Sequence, residues 1–172
     1  QFTTNKKNII NIFFIMANNY LNFYNNLVNL TRNKILYENY TEHDTFSDRL
    51  IIFLFHFAFF LNVFKFDSSK KDFQKIFDYI FRQLELSIRE IGYGDTIINK
   101  KMKNYVNIFY TILTDIENWD KLNNKNKNQI LAKYINFNQN SLILLDYFEN
   151  YKHYLKNNTL NSLLKGVIKI NF

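Results

Sequence analysis

Apolar residues along this chain recur in steps of three and four, and polar runs separate the stretches in which they do. The most regular set is Phe73, Ile76, Phe77, Ile80, Phe81, Leu84, Ile88 and Ile91. That spacing predicts an amphipathic helix, with Lys71, Lys75, Asp78, Arg82, Gln83, Glu85 and Arg89 on its other flanks. Ser69 with Asp72 makes a capping-box-like start, and Gly92 stops it. Beyond the stop, Ile98, Met102, Tyr105, Val106, Phe109, Ile112, Leu113 and Ile116 repeat the pattern. The two helices are expected as an antiparallel pair joined by Gly92-Tyr93-Gly94.

Elsewhere the pattern is less even. Residues 8 to 16 (NIINIFFIM) form an apolar run of nine residues after Lys6 and Lys7, well short of the roughly twenty that span a bilayer. They are expected as a helix end packed on the core, or as a peripheral N-terminal extension (1–16) that touches a membrane or a subunit. Tyr20, Leu21, Phe23, Tyr24, Leu27, Val28 and Leu30 predict a helix from about Asn18 to Asn33. Residues 34 to 46 break the period, yet Ile35, Leu36, Tyr37 and Tyr40 are too apolar for a free linker. Asp44 or Thr45 can cap the next helix, which runs to about Phe64. Its centre, Leu50 to Leu61, has twelve residues with only His56 polar, the mark of a helix buried inside a bundle. From Asn118 to Gln129 the polar run predicts a loop. A short helix around Ile130 to Ile135 and a longer one from Ser141 to Leu155 follow, the latter using Leu142, Leu145, Phe148 and Tyr151 or Tyr154. The tail, LNSLLKGVIKINF, holds the third glycine and ends in an alternating apolar stretch that is expected to run extended along the surface. The fold class is therefore all-α: one domain over residues 1–172, a bundle of about six helices.

Composition strengthens that reading. The chain has no proline and only three glycines among 172 residues, so the turn chemistry of sheets and hairpins is missing. A hydrophobic share of 47%, with 19% aromatic, supplies a core and excludes disorder. The richness in Asn, Lys, Ile, Phe and Tyr also fits an AT-rich genome, which discounts composition as evidence of function. Net charge is +7, a sign that favours acidic partners such as RNA, anionic lipid or an acidic protein face. The lack of cysteine excludes disulfides, thiolate nucleophiles and cysteine-ligated zinc. The opening residue, Gln1, suits a protein whose targeting segment has been removed or whose terminus has been trimmed, as in an imported organelle protein.

Little in the chain suits catalysis, and no enzyme activity, cofactor or metal is expected. His43, His56 and His153 are scattered, and no serine has a context that would activate it. Glu42-His43-Asp44 has metal-ligand chemistry, but neighbours on a loop rarely converge on one ion. His56 is expected as a hydrogen-bonded core histidine. Gly92-Tyr93-Gly94 is half of a dinucleotide fingerprint, but it follows a helix and lacks the third glycine. The sharper feature is the charge around that turn: Arg89, Glu90, Asp95, Lys100, Lys101 and Lys103, with Tyr93 among them. Lysines in the opening turns of a helix oppose its dipole. Either a lysine-rich composition explains them, with Asp95 offsetting the charge, or an acidic partner does. Nucleic acid is a further reading, since Tyr93 and Tyr105 interleave with the lysines.

The run from Phe77 to Tyr110 resembles the ubiquinol–cytochrome c chaperone family of cytochrome bc1 assembly factors. The matching residues are Ser87, Ile88, Arg89 and Glu90, then Gly92, Gly94 and Asp95, then Lys100 to Lys103, and finally Phe109 and Tyr110. Upstream, Asp44, Thr45, Arg49 and His56 match a second family pattern, and Leu163, Leu164 and Gly166 match its tail. Three positions depart from it: His43 stands for a proline, Asp48 for a glycine, and Thr111-Ile112 for Gly-Arg. The resemblance implies an all-helical, non-enzymatic factor that binds newly made cytochrome b and works with a small helical co-chaperone. It also implies action near the mitochondrial ribosome exit, on the matrix side of the inner membrane, or in the cytoplasm of a bacterium. Two other classes stay open: a permanent accessory subunit of a respiratory or ribosomal assembly, and an RNA-binding helical module.

Overall fold

Seven α-helices and no strands make up the described part of the chain. The computed structural model describes residues 2–37, 45–67, 69–136 and 142–170, with side chains from residue 14 onward. The helices are α1 (Phe2–Thr31), α2 (Phe46–Phe64), α3 (Lys70–Glu90), α4 (Asp95–Asp115), α5 (Asn124–Tyr134), α6 (Leu142–Lys156) and α7 (Leu160–Lys165). Single 3-10 turns at Lys34–Leu36 and Trp119–Lys121 fill two of the connections.

The helix starts follow side-chain chemistry legible in the sequence. Thr45 caps α2 in a reciprocal box: the Asp48 N–H donates to the Thr45 hydroxyl (3.2 Å), and the Thr45 N–H donates to the Asp48 carboxylate (3.1 Å). Ser69 accepts from the Asp72 N–H at 3.2 Å and starts α3. Both caps satisfy donors that the first helical turn leaves unpaired.

α2 is the centre of the bundle. Leu50 and every residue from Ile52 to Phe60 are buried, and α1, α4 and α6 pack around them. By length and composition α2 is apolar enough to cross a membrane, but here neighbouring helices cover it. Its ring stacks include Phe57 on Phe109 (5.0 Å between centroids) and Phe59 on Phe148 (5.2 Å). Each such ring is worth about 1.5–3 kcal/mol in burial alone.

α3 and α4 run antiparallel, as their spacing predicts. Phe77 meets Tyr110, Phe81 meets Phe109 and Arg89 meets Asp95, so partners descend α4 as residues climb α3. Ile91 departs from expectation: it lies beyond the last turn of α3 and is 52% exposed. At the far end of the chain, Asn22 and Asn26 on α1 hold the tail by its backbone. Their side-chain amides donate to the backbone carbonyls of Leu164 and Gly166 at 2.8–2.9 Å, and the Ile168 N–H donates to the Asn26 side-chain Oδ1 at 3.3 Å. A Cβ on Gly166 would lie 2.7 Å from the Ser162 carbonyl oxygen, so close backbone approach requires this glycine.

Three other expectations change. The apolar run 8–16 and the helix after it are one continuous helix, because Ala17 and Asn18 contain no breaker between them. The polar stretch 118–129 is not a loop: it buries Trp119 completely and begins α5 at Asn124, capped by Asn123, whose side chain accepts from the Asn126 N–H at 2.9 Å. Leu142 is exposed, whereas Leu145, Phe148 and Tyr151 are buried as expected and Leu144 and Tyr147 join them.

Candidate functional site

Two sets of residues carry the sequence motifs, and they sit in different surroundings. The first belongs to α2. Thr45 is the cap described above, and the Arg49 guanidinium lies over the Tyr37 ring at 5.5 Å. His56 is fully buried. Its Nδ1–H donates to the Ile52 carbonyl at 2.8 Å, which leaves Nε2 to accept from the Tyr147 hydroxyl at 2.6 Å. Tyr151 donates to the His56 carbonyl at 3.1 Å. Burial lowers the His56 pKa to about 4, against a smaller opposing effect of the Ile52 hydrogen bond. The same burial raises the hydroxyl pKa values of Tyr147 and Tyr151. His56 is thus a neutral core side chain with both ring nitrogens engaged. Asp44, with Glu42 and His43, lies outside the described residues. Among the described residues no cluster of three or more metal-ligating side chains occurs.

The second set surrounds the α3–α4 turn. Gly92 has φ +98°, the left-handed region that side chains other than glycine's rarely adopt. Gly94 differs: it is the N-cap of α4, with φ −70° and ψ 155°, and a Cβ there would meet nothing within 4 Å. Arg89 ties the turn together. Its Nε and Nη2 donate to Glu85 at 3.0 and 2.8 Å, and its Nη1 pairs with Asp95 across the turn. The Glu85 and Asp95 carboxylates raise the already high guanidinium pKa further. The guanidinium bridges the two carboxylates and so holds α3 to α4, leaving the group one negative charge in excess.

The remaining residues of the turn point outward. Glu90 and Tyr93 are exposed, and the Lys101 ammonium lies over the Tyr93 ring at 4.8 Å. Lys100 and Lys103, three apart on one outer face of α4, are exposed and have no ion pair among the described residues. Because α4 begins at Asp95, all three lysines follow its first turn, where the dipole has largely faded. Opposition to the macrodipole is therefore a weaker reason for a partner than the sequence suggests; the solvent-facing state of Lys100 and Lys103 is the stronger one. Phe109 and Tyr110 divide the same way. Phe109 is core, packed on Phe57 and Phe81, while Tyr110 is half exposed against Phe77.

The profile of the family described as Ubiquinol-cytochrome C chaperone matches residues 39–136, more than half of the chain. The chain belongs to that family. The matched stretch holds α2 to α5 and both motif sets, while the tail residues Leu163, Leu164 and Gly166 lie outside it. In this ubiquinol–cytochrome c chaperone family member, α1, α6 and α7 lie outside the match. Membership supports a chaperone role in bc1 assembly in general terms, and protein partners with it. No curated protein and no solved structure matches the chain.

Several polar contacts have no warning in the periodicity. The Glu149 carboxylate accepts from the Trp119 indole at 2.8 Å and from Lys127 at 2.6 Å. Lys152 is 5% exposed at its side chain and pairs with Asp120 at 2.7 Å, which also takes Lys156 at 2.9 Å. Burial pulls the Lys152 pKa down and its bond to Asp120 partly restores it. For Asp120, burial pushes the pKa upward, but the two ammonium groups outweigh it and hold the carboxyl below its usual range. The sole tryptophan inside a polar run was the one available signal for this cluster.

Proposed function

We propose that this chain is a non-enzymatic assembly factor of the cytochrome bc1 complex that binds newly made cytochrome b. It acts on the matrix side of the mitochondrial inner membrane, or in the cytoplasm of a bacterial source, together with a small helical co-chaperone. Contact with the ribosome exit is part of the same reading. The observation that carries it is the family match over residues 39–136. The outward residues of the α3–α4 turn are the docking surface: Glu90, Tyr93, Lys100, Lys101 and Lys103, with Arg89 and Asp95 fixing the shape on which they are presented. Support comes from the contrast between the mutually paired Arg89–Glu85–Asp95 group and lysines that pair with no carboxylate among the described residues. Desolvating cations against an acidic partner surface sets orientation and speeds encounter.

The test is affinity purification of the tagged chain from cells assembling the bc1 complex. The parent should retain cytochrome b and assembly intermediates, and the triple variant K100E/K101E/K103E should lose them with its helical circular dichroism unchanged. Equal retention by the variant removes the turn as the docking surface. Stoichiometric presence in the mature complex would instead mark a permanent subunit.

A further inference from the structure

The segment that follows α7 lies on α1 as an extended peptide lies in a binding site. Gly166 leaves the helix in extended backbone, with φ −91° and ψ −177°. The residues after it alternate: Val167 and Lys169 face solvent, Ile168 is 7% exposed, and Ile170 packs half-buried against the core. Asn26 of α1, only 5% exposed, commits both ends of its side-chain amide to the main chain of this segment. Its Nδ2 donates to the Gly166 carbonyl at 2.8 Å, and its Oδ1 accepts from the Ile168 N–H at 3.3 Å. One residue of a parallel strand makes the same pair of bonds with its neighbour. Asn22, one helical turn earlier, adds bonds to the carbonyls of Leu164 and Gly166. Among the described residues these are the only side-chain partners of the two asparagines.

Bonds to main chain select a backbone shape, and alternate side chains supply the rest of the recognition. Any extended segment with apolar residues two apart offers α1 the same groups. The glycine is not among its requirements. A Cβ at position 166 would meet the Ser162 carbonyl of α7, and nothing of α1 lies within 4 Å of it. Among the described residues beyond Gly166 only Ile168 is buried, so release of the segment withdraws one side chain from the core and leaves the helices packed. We propose that Asn22 and Asn26 form a main-chain clamp for an extended segment of a partner protein, apolar at two positions two residues apart. The chain's own residues 166–170 fill the clamp until that segment displaces them. A second copy is the weaker occupant, because its tail would give up in its own chain the same contacts it gained in the other. The clamp uses none of the residues of the α3–α4 turn and takes from the assembly-factor reading only that the partner is a protein.

The probe is a fluorescent peptide of the sequence LKGVIKINF, residues 164–172, followed by anisotropy on the purified full chain. A twin is N-methylated at the residue matching Ile168, which removes the N–H that Asn26 accepts and keeps every side chain. A third peptide carries Gly166→Ala, Val167→Ser and Lys169→Glu, positions whose side chains α1 does not read. In the parent the tethered tail competes at an effective concentration on the order of millimolar, so binding should be weak. Ile168→Asp in the chain frees the clamp and should tighten binding at least about tenfold; Ile168→Ser is the milder release should the aspartate perturb the fold. On the released chain the third peptide should bind like the first, the methylated twin about tenfold more weakly, and Asn26→Leu should abolish binding with helical circular dichroism unchanged. K100E/K101E/K103E should leave binding as it is, which separates failure of the clamp from failure of the turn. No binding to either released chain, binding equal to the parent's, equal binding of the twin, loss of the third peptide or indifference to Asn26→Leu would overturn the inference. So would a dimer of the parent that Ile168→Asp converts to monomer, since the tail would then serve a second copy.

Discussion

The polar groups around α2 and those around the α3–α4 turn obey opposite rules. Inside the bundle His56 closes on Ile52 and Tyr147, and the buried Trp119, Lys127 and Lys152 reach carboxylates at its edge, Glu149 for the first two and Asp120 for the third. A buried polar group without a partner costs about 1–3 kcal/mol, so closure there is a condition of folding. At the turn, only Arg89, Glu85 and Asp95 close on themselves, and Lys100 and Lys103 remain open to solvent. Charge that folding does not need is charge available to a partner. The interior polar groups are therefore read as architecture, and the outer lysines are the ones we propose for a partner.

The largest expected effect that tests this contrast is in the interior. Trp119→Ala removes a fully buried ring packed on Phe59 and strands the Glu149–Lys127 pair. It should cost about 3–5 kcal/mol in chemical denaturation. A loss under 1 kcal/mol would mean that the polar segment 118–129 is less integral than its burial indicates.

Next in size is a pH effect centred on His56. In the folded chain it stays neutral down to about pH 4, whereas in the unfolded chain it takes up a proton near pH 6.5. The unfolded state therefore binds more protons between those values, and stability falls as pH drops through that window. The loss approaches about 3 kcal/mol. His56→Phe should flatten the stability profile from pH 6.5 to 4.5 relative to the parent; parallel profiles would show that other groups set the acid sensitivity.

The smallest effects separate the two glycines of the turn. Gly92→Ala forces a side chain into positive φ and should destabilise by about 1–2 kcal/mol. Gly94→Ser meets open space at an ordinary N-cap and should leave thermal stability unchanged or raise it by a few tenths of a kcal/mol. Equal penalties at both positions would place a packing demand on Gly94 that its surroundings do not contain.

Much of the architecture was legible in the one-dimensional pattern because it is local. The caps Thr45–Asp48 and Ser69–Asp72, the stripe from Phe73 to Ile88 and the stop at Gly92 each need only residues a few positions apart. The burial of α2 was legible for a related reason: an almost unbroken apolar run must be covered on all sides. The family likeness joined these local features into a fold and an expectation of partners.

Other features depended on residues far apart in sequence. Trp119 and α5 hid inside a polar run because their burial is supplied by α2 and α6, not by their own neighbours. The union of residues 8–16 with the helix beyond them was obscured by a break in hydrophobic spacing that does not break helical hydrogen bonding. The hold of α1 on the tail could not be read at all, since Asn26 and Ile168 become partners only when the end of the chain folds back onto α1. By itself, the sequence determined an all-helical chain, its capped starts and the charged turn that marks its family, because these arise from short-range spacing and backbone chemistry. Tertiary structure alone decided which charges close on a partner within the fold and which stay open, because that depends on helices brought together from distant parts of the chain.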